Sequence, residues 1–457
     1  MPVLVIRYSL FVSGGQRVTN NPFVQKVHQL LNSIQQTFSF PAFQSRNYRL
    51  FFLGQGLSLV GTWITMVAMI GLVYHLTQSP VLLGIVGFAS QVPNLVLVPF
   101  GGVLSDRWNH QHTLIVTQIL SMLQSFALAI LTLTGTIQIW HIIVLSLFQG
   151  IVNAIDSPTR QAFVPEIVER QDRLINAIAL NSSMFNGARL IGPAIGGILL
   201  ASVGAGYCFL IDGVSYIAVL AALMAMRLKR RVPVASQTFF TVGSIWQHLR
   251  EGFVYVFGFA PVRSILIMVG VVSFLGVNFV VILPIFANEI LHGDANTLGL
   301  LMSASGVGSL IAAVQLSLRR EVRGLGRLVA IAPIIYGSGM IAFALSRSIW
   351  LSVLLLAIIG FGSLLQSASS NTIIQTLVQD EMRGRVMSIY IMSFLGMISF
   401  GNLFQGALVS FIGAPTTVAV CGIVCVVVAI FYARQLPRLR QMVWRSHPEL
   451  APHDLQP

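Results

Sequence analysis

Residues 82–133 read "LLGIVGFASQVPNLVLVPFGGVLSDRWNHQHTLIVTQILSMLQSFALAILTL". Two apolar runs, 82–104 and 114–133, are parted by a short break in which Asp106 and Arg107 stand side by side. Each run matches the roughly 20 residues needed to cross the hydrocarbon core of a bilayer. Of 457 residues only 9% are charged and 55% are hydrophobic, with a mean hydropathy of +0.81. Soluble domains are about half apolar, so this chain is one that lipid solvates.

The same pattern repeats in both directions. Apolar runs at 50–74, 139–154, 178–203 and 208–226 complete a first set of six. Six more follow a longer polar stretch, at 264–286, 298–318, 328–345, 350–368, 386–412 and 418–431. The sequence therefore predicts an all-α membrane protein of twelve transmembrane helices in two six-helix, pseudo-symmetric halves. Its expected organisation is a tail (1–44), a first half (45–228), a linker (229–262), a second half (263–433) and a second tail (434–457). A duplicated unit is also suggested by "RQAFVPEIVERQDRLINAI" (160–178) and its partial echo "IQTLVQDEMRGRVMSI" (374–389). In the linker, Ile245, Trp246, Leu249, Phe253 and Val256 recur at helical spacing, the mark of an amphipathic helix lying on a membrane surface.

The net charge of +13 raises the possibility of a nucleic-acid partner, but the placement of the bases argues for topology instead. The tails, the linker and alternate connections hold 25 of the 27 lysines and arginines; Arg347 lies in an opposite loop and Arg189 within a span. By the positive-inside rule both termini and the linker are expected in the cytoplasm. Anionic lipid, not nucleic acid, is the partner this basicity fits. The opening "MPVLVIRYSLFVSGG" is too short for a span and lacks a small-residue cleavage site, so a loose tail is expected there.

Cys208, Cys421 and Cys425 all fall within spans, where thiols behave as small hydrophobes. No disulfide framework, metal site or cofactor is expected. A membrane-embedded enzyme finds no support in HExxH, GxSxG or phosphate-cradling GxxxxGK[ST] motifs, none of which occurs. A transport-dead sensor would be expected to carry a long signalling tail, whereas the stretch after Phe431 is short and basic.

Residues 154–197, "AIDSPTRQAFVPEIVERQDRLINAIALNSSMFNGARLIGPAIGG", are similar to the hallmark of the enterobactin-exporter-like branch of the major facilitator superfamily. "GGVLSDR" (101–107) resembles the broader superfamily loop between the second and third spans. The resemblance covers 46–434. It implies a cytoplasmic gate in which Gly102 permits close helix approach, and Asp106 with Arg107 meets the start of the eleventh span beside Arg383 and Arg385. A carboxylate at a helix N-terminus is favoured by about 0.3–1 kcal/mol; the competing reading is a solvated turn. Asn109, His110, Gln111 and His112 replace the usual Gly or Asp and bases, which points to a weaker or pH-sensitive latch.

"GPAIGG", with Gly192, Pro193, Gly196 and Gly197, resembles the fifth-span motif of antiporters, and tight packing without a mechanistic role is the alternative. Ala179 and Ala188 replace earlier glycines of that motif, and Ser146 stands where many proton antiporters carry Arg.

Gln55, Gln91, Asn94, Gln149, Asn153, Asn181, Asn278, Gln366, Asn402 and Gln405 are polar residues inside spans. Any one serves as interhelical glue or as a cavity contact; Gln91, Asn94, Gln149, Asn153, Asn181, Asn278 and Gln366 are the cavity candidates. Such a cavity suits amphipathic or lipophilic solutes. Arg189 sits roughly 16 Å from the cytoplasmic side at about 1.5 Å per residue. A cation at that depth costs about 2.5–3.5 kcal/mol and calls for a partner. Asp156 and Asp212 are both within reach, either as a proton-coupling pair or as a structural ion pair. The reading is a monomeric secondary transporter of the bacterial inner membrane, exporting a drug, siderophore or similar metabolite by proton antiport. A lipid or lysophospholipid transporter, or an importer of the same fold, stays open as the alternative.

Overall fold

A computed structural model describes residues 41–168, 173–227, 242–276, 279–319 and 324–446, and the side chains of 98–107, 242–246, 248–249, 279–280 and 445–446 lie outside the description. All regular structure among the described residues is helical. The first six spans are Arg46–Thr77, Pro80–Arg107, His110–Leu133, Ile139–Ile167, Leu174–Val203 and Ala205–Ala225. Ala295–Ser317, Leu325–Leu345, Ile349–Leu377, Asp380–Ile412 and Ala414–Ser446 are the eighth to twelfth. Eleven described helices are long and apolar enough to cross a membrane unaided. The seventh span makes twelve: it runs Ala260–Leu275, breaks at Gly276, and resumes as Phe279–Ile285 and a π-helical turn over Phe286–Ile290.

That break is where the structure departs from the uninterrupted apolar run at 264–286. Glycine is the weakest helix former short of proline, and a carbonyl freed inside a membrane needs a donor. Gln405 of the eleventh span supplies it, its amide donating to the Gly276 carbonyl. The fourth and tenth helices, conversely, outrun their apolar stretches, reaching Ile167 and Leu377. Polar residues continue them through bonds one turn apart: Arg160 to Asp156, and the Gln375 amide to Asn371 Oδ1 at 2.5 Å.

Caps fix the entries. Ser45, Ser79, Asn109 and Asp294 each accept from a backbone N–H in the first turn of the helix they begin, an arrangement worth about 1 kcal/mol each. The expected amphipathic helix is Val242–Gly258; its stretch from Arg250 bends 108° to the seventh span.

Packing repeats between the halves. In the first, the second span pairs with the fourth, the third with the sixth, and the first with the fifth and sixth. The second half has the corresponding pairs: eighth with tenth, ninth with twelfth, seventh with eleventh and twelfth. Between halves the fifth span meets the eighth and the eleventh meets the second, again a two-fold relation. Sharp reversals occur at Gly204 (φ 86°) and Gly413 (φ 78°), before the sixth and twelfth spans, a region of φ that glycine alone occupies without strain. Outward faces are apolar, as at Ile130, Ile198, Trp350 and Phe411, all exposed.

Candidate functional site

At one end of the bundle every connection between spans is a turn of five residues or fewer, and the Val242–Gly258 helix and most of the arginines lie toward the other, the basic end. Near the short-turn end the halves touch through backbone. A Cβ on Gly197 would lie 2.7 Å from the Ala295 carbonyl oxygen and 3.0 Å from the Gly299 Cα. A Cβ on Gly406 would lie 2.7 Å from the Pro80 oxygen and 3.2 Å from the Gly84 Cα. No side chain fits either crossing, so both stay glycine-tight. Tyr74 closes the same end by donating to Glu289, joining the ends of the first and seventh spans. The remaining motif residues pack likewise. Gly192 abuts Trp63, Gly196 abuts Ile64 and Val67, and the Pro193 carbonyl faces Gly299. The "GPAIGG" stretch is thus the wedge between the first and eighth spans.

Beneath this seal lies a cavity of about 950 Å³ lined from both halves. Counting from the short turns at about 1.5 Å per residue, it begins roughly 10 Å in, at Asp212 and Ser146. It continues along the tenth and eleventh spans as far as Thr372 and Tyr390, toward the basic end. Four cavity candidates line it: Gln91, Gln149, Asn153 and Gln366. Asn94 is not among the lining residues and bonds instead to the Gln91 oxygen at 3.2 Å. Asn181 lies off the wall, and Asn278 falls outside the described residues. The Gln149 amide donates to Ser121 at 3.1 Å and to Asn153 at 3.2 Å, tying the third and fourth spans. Sequence reasoning missed Tyr216, Tyr336 and Tyr390 as wall residues. Their only signal was amphipathic character within an apolar run, which any core tyrosine shares.

The charged candidates separate. Asp156 accepts from Thr117 at 2.8 Å and from Gln118 at 2.9 Å, and pairs with Arg160 one turn on. Asp212, buried, lines the cavity and accepts from Ser125 at 2.9 Å. Arg189 lines the cavity with its guanidinium carbon 6.0 Å from the centre of the Trp63 ring. Neither acid forms an ion pair with it, so the expected pairing is absent in this conformation.

At the basic end Arg383 pairs with Asp380 of its own turn at 2.5 Å, and Arg385 with Glu251 of the Val242–Gly258 helix at 2.6 Å. Both bases expected at the latch are therefore engaged elsewhere. The second span does end at Arg107, but the side chains of Gly102, Asp106 and Arg107 lie outside the described residues. The residues that depart from the family loop have structural work: Asn109 caps the third span through the His112 N–H at 3.1 Å, His110 meets Glu166 at 2.9 Å, and Gln111 donates to the Leu223 carbonyl at 2.6 Å.

Twelve spans in two like halves around a central cavity are the architecture of the major facilitator class of transporters. Residues 37–455 match the transmembrane secretion effector family, and the chain belongs to it. It is 26% identical over 397 residues to the staphyloferrin A transporter of Staphylococcus aureus, covering 85% of this chain and 97% of that one. It is 25% identical to the multidrug efflux pump Tap of Mycolicibacterium fortuitum, covering 85% and 95%, and 23% identical to the enterobactin exporter EntS of Salmonella typhi, covering 86% and 93%. Among solved structures, a POT family transporter in complex with a thioalcohol-conjugated peptide superposes with a TM-score of 0.71 at 12% identity, covering 86% and 96%. The relatives and the family are transporters, and this chain is a transporter, not an enzyme.

Proposed function

We propose that the protein exports an amphipathic or lipophilic small molecule, of the siderophore or drug kind, in exchange for protons by alternating access. The observation that carries this reading is the central cavity, sealed at the short-turn end by two symmetry-related glycine crossings and extending toward the basic end. The positive-inside rule assigns the basic end, the surface helix and both termini to the cytoplasm of a bacterial inner membrane. The conformation is then inward-facing and ready to load solute from the cytoplasm. An enterobactin exporter and a multidrug efflux pump among the relatives support export over import. A monomer suffices, since each half supplies walls to one cavity.

Asp212 is the proton carrier in this scheme: it is a buried carboxyl on the cavity wall that Ser125 orients. Asp156, engaged by Arg160, Thr117 and Gln118, is structural. Asp106 with Gly102 and Arg107 latches the cytoplasmic end in the opposite conformation, when Arg383 and Arg385 leave Asp380 and Glu251. The test uses everted vesicles from an overexpressing strain, energised by respiration, with Hoechst 33342 and a radiolabelled hydroxycarboxylate siderophore as probes. Uptake of either that collapses with a protonophore and is absent from vesicles lacking the protein is expected. Uptake only in right-side-out vesicles would establish import instead.

A further inference from the structure

We infer that Arg189 is the anchor for an acidic group on the transported solute, so that the cargo is an amphipathic organic anion bearing a carboxylate. The inference rests on the transporter reading of the cavity and names its substrate class.

A guanidinium presents five N–H donors and no acceptor. Held at the level of the membrane interior it costs about 2.5–3.5 kcal/mol even on the lenient insertion scale. Such a group persists where something meets its donors. The Trp63 ring face, 6.0 Å away, offers its π electrons but takes none of the N–H groups in a directed bond. No carboxylate among the described residues lies within ion-pair distance. Asp156 is held by Arg160. Asp212 stands on the order of 10 Å nearer the short turns, counting along the fifth and sixth spans at about 1.5 Å per residue. The electrostatic neighbour of Arg189 on the cavity wall is Tyr336, whose phenol brings no negative charge at neutral pH, so the guanidinium's charge is left to the cavity.

The fold itself does not require a cation there. Gly197 and Gly406 make equivalent crossings and are 209 residues apart, so the counterpart of Arg189 in the second half is Ile398. Ile398 also lines the cavity. The same scaffold position thus carries a charge on one wall and an aliphatic group on the other. Met66, Met69, Ile70 and Val86 add apolar wall nearby. A ligand with one acidic end and an apolar body matches this polarity. Its carboxylate takes two parallel N–H···O bonds from the fork, the pairing that gives arginine its advantage over lysine, while the body lies toward Ile398 and the methionines.

Full-length protein purified in detergent is titrated calorimetrically with 2-naphthoate, the isosteric neutral 2-naphthamide and the cation 2-naphthylmethylammonium. The wild type is expected to bind the acid at least tenfold more tightly than the amide and the cation least. Arg189→Gln should bring acid and amide within twofold by weakening the acid alone, and Arg189→Lys should keep a reduced acid preference. Equal binding of acid and amide by the wild type, no binding of the acid, or a preference for the cation overturns the proposal without recourse to any variant. So does an acid preference that survives in Arg189→Gln. Binding in detergent needs no gradient. Equal affinities alongside energised export therefore sink the anion site alone, whereas a tenfold acid preference without export sinks the transport reading alone.

Discussion

Gly197 and Gly406 make the same crossing in the two halves, yet Arg189 and Ile398, at the same 209-residue offset, give the cavity opposite chemistry. The sixth and twelfth spans differ likewise. Asp212 and Cys421 are each the eighth residue of their helix, the one a carboxylate on the cavity wall, the other a thiol in the hydrophobic core. Packing positions have stayed paired because a side chain at either crossing would strike backbone. Positions away from the crossings are free of that constraint, and there the halves differ, with Arg189 against Ile398 on the cavity wall and Asp212 against the core residue Cys421.

The largest effect expected from this comparison falls on the shared crossings. A Cβ on Gly299 would lie 2.4 Å from the Pro193 oxygen, and one on Gly84 would lie 2.6 Å from the Asn402 oxygen. Overpacking of this kind costs about 1–3 kcal/mol, which shifts a two-state balance roughly tenfold to a hundredfold. Gly299→Val and Gly84→Val should each hold the short-turn end open, seen as labelling from outside of a cysteine placed at Ser90, and should reduce transport at least tenfold with normal expression. If only one of the two does so, the crossings are not equivalent.

Next in size is the contrast between Asp212 and Cys421. Asp212→Asn removes the ionisable group while keeping its size, so gradient-driven export should fall at least tenfold and downhill exchange should persist. Cys421→Ser should leave both within twofold. Equal effects in vesicle assays would show that the two positions share a role.

Asp156 and Arg160 form a pair within the fourth span, and breaking one member leaves its partner without a bond worth about 1.5–3 kcal/mol. Asp156→Asn should lower the melting temperature in detergent, and adding Arg160→Gln should restore part of the loss; a double variant no better than the single would deny the pairing. The smallest effect belongs to a helix entry. Asp294 accepts from the Thr297 N–H at 3.1 Å and, mainly for that reason, its carboxyl is held below the usual carboxylate range. Its contribution is present above the pKa of the unfolded chain and fades as pH falls through the lowered value in the folded protein. Asp294→Ala should cost about 1 kcal/mol at pH 7 and nothing measurable once the wild-type carboxyl is protonated.

Most of the architecture was legible because a bilayer allows backbone so few solutions. Twelve runs gave twelve spans, and the helical spacing within the linker gave the helix at Val242–Gly258. What stayed hidden depends on partners from distant segments. The Gly276 break is stabilised by Gln405, which lies 129 residues away. The ends of the fourth and tenth helices extend past the apolar signal on side-chain bonds that hydropathy does not register. At the site, Gln91, Gln149, Asn153 and Gln366 were readable as polar residues in apolar runs, but Asn94, of the same type and three residues from Gln91, bonds to its neighbour instead. Arg189 was conspicuous in the sequence, but that neither Asp156 nor Asp212 pairs with it needed three dimensions, which showed Asp156 engaged by Arg160 and Asp212 bonded to Ser125.

Alternating access through the short-turn end is tested most directly at Tyr74 and Glu289, which bond across the two halves. Cysteines at both positions, in a protein whose own three thiols are buried, are bridged with a short reversible bis-thiosulfonate in energised vesicles. Bridging is expected to reduce export below a tenth, and a reductant to restore it. Bridged protein that exports at an undiminished rate would contradict it.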